Sequence, residues 1–277
     1  MNDIKISVII IGYNGKKYIV DCISSLKHQI TSYSFEIIYV DNGSTDGSIQ
    51  LIKSNFENIR IISFGINIGY YKAFNYTAEH YAIGEYLIAL PQDTILHNKC
   101  LDELAKTAED DDQITICLMN TVNPGFLDYQ SREMNHWITH VYLMSTSRLG
   151  VTLPRKWLFD PKPIPILAYS GVAALIRRDA TSKNFLHFDS NLSRFLGDVD
   201  LGIRVNVLGK KVMLVPTAIV YHIEDNKSWT DFSLLLRSFE GARDTYLVYY
   251  KNMNFYEYLL FLPLLFLGIP TKVFALR

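Results

Sequence analysis

Lys5-Ile6-Ser7-Val8-Ile9-Ile10-Ile11, followed at once by Gly12-Tyr13-Asn14, is the stretch on which the fold turns. The run is apolar at nearly every position instead of every second one. A strand of that kind must be covered on both faces, which is the pattern of a central strand in a parallel sheet. Working outward, Tyr18 to Gln29 has the spacing of an amphipathic helix, Phe35 to Asp41 reads as a strand, Thr45 to Asn55 as a helix and Arg60 to Phe64 as a strand. A helix over Lys72 to Tyr81 and a strand over Glu85 to Leu90 continue the alternation. Such β-α-β order predicts an α/β fold, a mostly parallel sheet flanked by helices, with ligands bound beyond the carboxyl ends of the strands.

Beyond this half the pattern loosens. Residues 123 to 168 carry Pro124, Pro154, Pro161, Pro163 and Pro165 among aromatics with no clear period, as an insertion or acceptor-side loop would. Tyr169 to Arg177 is strand-like, Lys211 to Pro216 and Ala218 to His222 read as two short strands, and Trp229 to Tyr250 has helical spacing. The expected division is one α/β domain over 1–228 and a helical, apolar tail over 229–277.

Composition narrows the function. With 277 residues, 49% of them hydrophobic, the chain can bury one substantial core. A formal net charge of -1 gives no reason to expect a nucleic-acid partner. Cys22, Cys100 and Cys117 form neither a C-x-x-C pair nor an even set, which speaks against a disulfide framework and fits a cytoplasmic setting. The apolar run at the amino end is too short for a secretory leader. Tyr256 to Leu276 is apolar and aromatic, but Pro263, Gly268, Pro270 and Lys272 break it below the roughly 20 residues of a spanning helix. It suits the interface at the inner face of a membrane and an ordinary hydrophobic helix packed on the sheet or on a second subunit almost equally. A dinucleotide-dependent oxidoreductase is disfavoured, because Gly12-Tyr13-Asn14-Gly15 lacks the G-x-G-x-x-G spacing.

Four residues stand out as carriers of chemistry: Asp93, Asp198, Asp200 and His222. Mg²⁺ or Mn²⁺ on a diphosphate takes few protein ligands, and a carboxylate with an imidazole suffices. Asp93 and His222, both at expected strand ends, have the right types, although Asp93 also suits a turn and His222 a hydrogen-bonded strand end. Asp198 falls near the start of a short helix, where a carboxylate is either a cap or a fixed base.

The order of motifs resembles family 2 glycosyltransferases of the GT-A fold, in particular their rhamnosyltransferase-like and galactofuranosyltransferase-like branch. Its carriers are Val8 to Ile11 with Tyr13-Asn14, Val40 to Ser48, Asn67-Ile68-Gly69-Tyr70 with Asn75, Leu90 to Thr94, Phe195 to Leu201, and Val215-Pro216 to His222. The resemblance implies a Rossmann-like nucleotide-binding half joined to a mixed acceptor-side half. It also implies inverting transfer of a sugar from a UDP- or dTDP-sugar to a glycan or lipid-linked hydroxyl. Asp41 then corresponds to the acid facing base and ribose, with Gly12, Tyr13, Asn14, Asn42, Asn67, Gly69 and Gln92 near the nucleotide and Gly171 near the sugar. Asp93 and His222 take the metal positions, for Mn²⁺ or Mg²⁺. Asp198 takes that of the catalytic base, with Asp200 as a helper that orients donor or acceptor. Two departures stand out: Pro91-Gln92-Asp93 keeps one carboxylate of the acidic motif, and Gly197 replaces the usual glutamate before the base. The alternative is a catalytically weak nucleotide-sugar-binding protein of the same fold.

Overall fold

The computed structural model describes residues 4–122, 162–166, 173–178, 187–192, 196–223 and 231–252. In chain order the elements are β1 (Ile6–Gly12), α1 (Ile19–Lys27), β2 (Phe35–Asp41), α2 (Ser48–Asn55), β3 (Arg60–Ser63), α3 (Tyr70–His80), β4 (Tyr86–Pro91), β5 (Thr94–Leu96), α4 (Cys100–Glu109), β6 (Ile114–Val122), β7 (Ile164–Ile166), β8 (Ala174–Arg177), α5 (Gly197–Val207), β9 (Lys211–His222) and α6 (Asp231–Asn252).

One mixed sheet runs in the order β3-β2-β1-β4-β8-β6-β9-β5, with β7 also on β9. The first four strands are all parallel, with Gly12 opposite Asp41 and Asp41 opposite Ser63. β8 then enters antiparallel between β4 and β6. Every residue of β1 is buried. Its alternate side chains divide between two apolar layers: Ile6, Val8 and Ile10 pack beside α1 and α4, while Ile9 and Ile11 join Tyr71, Phe74 and Val205. This two-sided burial accounts for the unbroken apolar run.

The structure adds α4, β5 and β6, which fell outside the sequence reading, and β7, a strand inside the stretch 123–168 expected as an insertion or loop. β5 is three residues long, below the length at which period 2 is legible. Lys211 to His222 is one strand, not two. Its pairing with β6 jumps from Met119↔Val215 to Asn120↔Ile219, so Pro216-Thr217-Ala218 forms an irregularity inside it. On the other edge of β9, β7 pairs before this irregularity and β5 after it. The bend thereby delivers His222 to the β5 edge. α6 is part of the same packing, since its Val248 is buried in the layer of α3 and α5. Among the described residues, no helix is long and apolar enough to cross a membrane. The segment Tyr256 to Leu276 lies outside the described residues.

Candidate active site

Three loops leave the carboxyl ends of β1, β2 and β3, and side chains lace them into one surface. Asn14, with φ 48°, donates its N–H to Ser44 Oγ at 2.9 Å and accepts the Thr45 N–H on Oδ1 at 2.8 Å. Asp46 accepts the Lys16 N–H at 2.8 Å and the Ser48 hydroxyl at 2.6 Å. The buried Asn42 donates to Asn67 Oδ1 at 3.1 Å and accepts the Ile68 N–H at 2.9 Å, while Asn67 Oδ1 also accepts the Gly69 N–H at 3.0 Å. Gly69, at φ 90°, then opens α3.

Asp41 is only 2% exposed, and both its oxygens are engaged: Oδ1 accepts the Ser44 N–H at 3.1 Å and Oδ2 the Ser63 hydroxyl at 2.9 Å. It therefore holds its own loop as well as marking the strand end. Gly12 sits beside it on β1, where a Cβ would come within 2.2 Å of the Tyr39 hydroxyl. The neighbouring Tyr13 ring is exposed. Its carbonyl receives the Gln92 Nε2–H at 2.8 Å, which ties the β1 loop to the turn between β4 and β5.

That turn carries Asp93. Thr94 closes it by donating its hydroxyl to the Pro91 carbonyl at 2.6 Å, and the Ile223 N–H donates to the Asp93 carbonyl at 2.8 Å. Thr94 lies opposite His222 in the β5–β9 pairing. The Asp93 and His222 side chains, 34% and 23% exposed, approach to 3.5 Å between Oδ2 and Nε2. A carboxylate and an imidazole side by side and open to solvent are a donor pair that suits Mn²⁺, which accepts imidazole more readily than Mg²⁺ does, once diphosphate oxygens supply further positions. Among the described residues there is no group of three or more His, Cys, Asp or Glu that could hold a metal on its own.

Asp198 lies in the first turn of α5 and accepts the Val199 N–H on Oδ1 at 3.0 Å. Its link to Asp93 runs through Tyr70, a partly buried residue at the start of α3. Burial first, then Tyr71 and the charges of Asp93 and Asp198, raise the Tyr70 phenol above its ordinary range. Both carboxylates thus lie in the neighbourhood of one hydroxyl. Neither Tyr70 nor Tyr71 drew a role from sequence reasoning, although two tyrosines directly after a loop glycine at a helix start were a visible signal.

Asp200 sits elsewhere. It is 2% exposed, paired with Arg204 at 2.8 Å one helical turn on, and receives the Asn252 amide of α6 at 3.2 Å. Arg204 in turn donates to the His187 carbonyl at 2.7 Å. A carboxylate so enclosed joins α5 to α6. Gly171 lies outside the described residues.

The family model for Glycosyl transferase family 2 matches residues 7–185. The N-acetylglucosaminyl-diphospho-decaprenol L-rhamnosyltransferase of Mycobacterium tuberculosis is 25% identical over 83% of this chain and 80% of its own length. Poly(ribitol-phosphate) beta-glucosyltransferase of Bacillus spizizenii is 34% identical over 35% of this chain, a match that spans 16% of that longer protein. Among solved structures, GalNAc-T7 with UDP, GalNAc and Mn²⁺ aligns with a TM-score of 0.65 at 19% identity, over 90% of this chain and 48% of that one. S. aureus TarS 1-349 in complex with UDP aligns with a TM-score of 0.56 at 18% identity, over 85% and 65%. At these identities the structural likeness concerns the fold, a GT-A-like α/β sheet.

Proposed function

The chain belongs to glycosyl transferase family 2, and from that premise we propose that it transfers a sugar, with inversion, from a UDP- or dTDP-sugar to a glycan or lipid-linked hydroxyl. The observation that carries this reading is the meeting of Asp93 and His222 at 3.5 Å, beside three interlaced strand-end loops and within electrostatic reach of a phenol that also feels Asp198. The sugar and acceptor classes follow the names of two relatives, an N-acetylglucosaminyl-diphospho-decaprenol L-rhamnosyltransferase and a poly(ribitol-phosphate) beta-glucosyltransferase, and UDP follows the solved neighbours that hold it.

In this reading the laced loops of Gly12, Tyr13, Asn14, Asn42, Asn67 and Gly69 receive the nucleoside. Asp41 already accepts two hydrogen bonds, and since a carboxylate offers about four acceptor sites, the remainder serve ribose or base. Asp93 and His222 would hold Mn²⁺ or Mg²⁺ at the diphosphate, and the chemistry supplied there would be charge neutralisation on the leaving group. Asp198 takes the proton of the acceptor hydroxyl as its oxygen attacks the anomeric carbon. The new C–O bond forms opposite the phosphate oxygen, the old C–O bond breaks, and the nucleoside diphosphate departs with the electron pair. Asp200 acts through Arg204 and Asn252 to hold the helix that presents Asp198. A membrane-facing role for Tyr256 to Leu276 belongs to the same proposal, given a lipid-linked acceptor.

The test is a panel of UDP-glucose, UDP-N-acetylglucosamine and dTDP-rhamnose, with and without Mn²⁺, read by thermal shift and then by product anomeric configuration. A donor that binds the folded state raises its apparent stability. Asp198→Asn is expected to keep UDP affinity and lose on the order of 10²- to 10⁴-fold in turnover, the usual worth of a general base. Undiminished transfer in that variant removes Asp198 as base. Binding of a donor without transfer to any acceptor would favour the weakly catalytic alternative.

A further inference from the structure

The first turn of α5 is held from another element. Backbone N–H groups at a helix start lack intrahelical partners. No side chain caps α5, and Leu196, left-handed at φ 61°, occupies its N-cap position. The buried Gly197 N–H is satisfied instead by the Tyr71 hydroxyl of α3, at 3.0 Å. A Cβ on Gly197 would fall 2.3 Å from the Tyr71 ring, so that ring fills the space a side chain at 197 would need.

Tyr71 is itself firmly seated. Its ring stacks on Phe188 at 5.0 Å and meets Tyr70 edge-on at 5.6 Å. Phe188 is pinned by Asn75, which donates to its carbonyl at 2.8 Å and accepts its N–H at 3.1 Å. Burial, and after it the charge of Asp198, raise the Tyr71 phenol, so the hydroxyl stays neutral beside the carboxylate.

We propose that Tyr71 is the positioning residue of Asp198: its hydroxyl and ring fix the first turn of α5 and thereby the place of the carboxylate at residue 198. The inference rests on reading Asp198 as the base. It assigns to a tyrosine of α3 the space a side chain at residue 197 would need, and it makes glycine at 197 a steric requirement of Tyr71.

The test uses the full chain with Tyr71→Phe and, separately, Gly197→Ala. Measurements are UDP binding with Mn²⁺ by calorimetry, thermal unfolding, and kcat, KM and pH profile for UDP release from the donor selected above. A misplacement of about 1 Å costs on the order of 100-fold in rate, so kcat is expected to fall by about that factor in each variant while UDP affinity stays within about twofold. The acid limb of the kcat profile is expected to move. Gly197→Ala should show this loss although alanine is ordinarily the better helix former. The double variant should be no worse than the poorer single one, because both break one contact. Unchanged kcat, or a fall in kcat matched by an equal loss of UDP binding, overturns the proposal. If Tyr71→Phe does not fold, Gly197→Ala decides by the same criteria. When Asp198→Asn abolishes turnover but neither variant reduces kcat, the positioning role alone fails; when Asp198→Asn is itself fully active, both readings fail.

Discussion

Asp93 Oδ2 and His222 Nε2 lie 3.5 Å apart across the antiparallel pairing of β5 with the end of β9. Because both side chains are partly open to solvent, neither is needed for the core. Asp93→Asn and His222→Ala are each expected to change unfolding free energy by no more than about 0.5 kcal/mol. The Mn²⁺-dependent part of UDP binding should weaken by about tenfold or more, ~1.4 kcal/mol. Calorimetric titration of UDP with and without Mn²⁺ measures both; a variant that keeps the full Mn²⁺ enhancement takes its residue out of the metal pair.

Gln92 supplies a donor where the related acidic motif supplies a charge. Its Nε2–H to the Tyr13 carbonyl joins the β1 loop to the Asp93 turn. Gln92→Glu therefore loses the donor and sets a carboxylate against a carbonyl. UDP affinity is expected to drop, by at most about 0.5 to 1.5 kcal/mol, the net worth of one hydrogen bond at this exposed contact, even though the acidic pattern is more complete. Tighter Mn²⁺-dependent binding in Gln92→Glu would show that the amide is no more than a substitute.

Asn42 holds the second and third loops together through Asn67 and the Ile68 N–H. Asn42→Ala leaves the part-buried Ile68 N–H without its acceptor, a loss of about 1 kcal/mol. Denaturant unfolding should register that loss, and UDP binding should weaken with it. Asn67→Ala, at an exposed residue, should cost less stability.

The Asp46 carboxyl is held below its ordinary value. Burial pushes it up, but the Ser48 hydroxyl and the Lys16 and Ser48 N–H groups outweigh burial. A depressed folded-state value means stability that is present in full above the unfolded value of 3.8 and lost as pH falls through the lower folded value. Between about pH 5 and pH 3 the parent chain should therefore lose more unfolding free energy than Asp46→Asn, measured by denaturant titration at each pH. Parallel curves for the two proteins would discount the Asp46 contacts.

The division between local and distant information follows particular residues. β1, β2 and α1 were legible within one or two residues of their ends because burial on both faces, or on one helical stripe, imprints a period on the chain. Asp198 at the start of a short helix was legible from the same kind of local spacing. β5 was too short for any period. β9 read as two strands because Pro216-Thr217-Ala218 interrupts the pattern where the backbone shifts register without leaving the sheet.

Sequence alone determined the parallel half of the sheet, the three strand-end loops and the chemical types that line them, since each depends on side chains a few residues apart. Only the tertiary structure decided where each acid lies. Asp198 and Asp200 stand two residues apart, yet a helical turn sends one toward Tyr71 and Tyr70 and buries the other against Arg204 and Asn252. Asp93 meets His222 because β9 changes neighbours at its bend. These outcomes depend on contacts between elements far apart in the chain, and no local pattern encodes which side of a helix another element will cover.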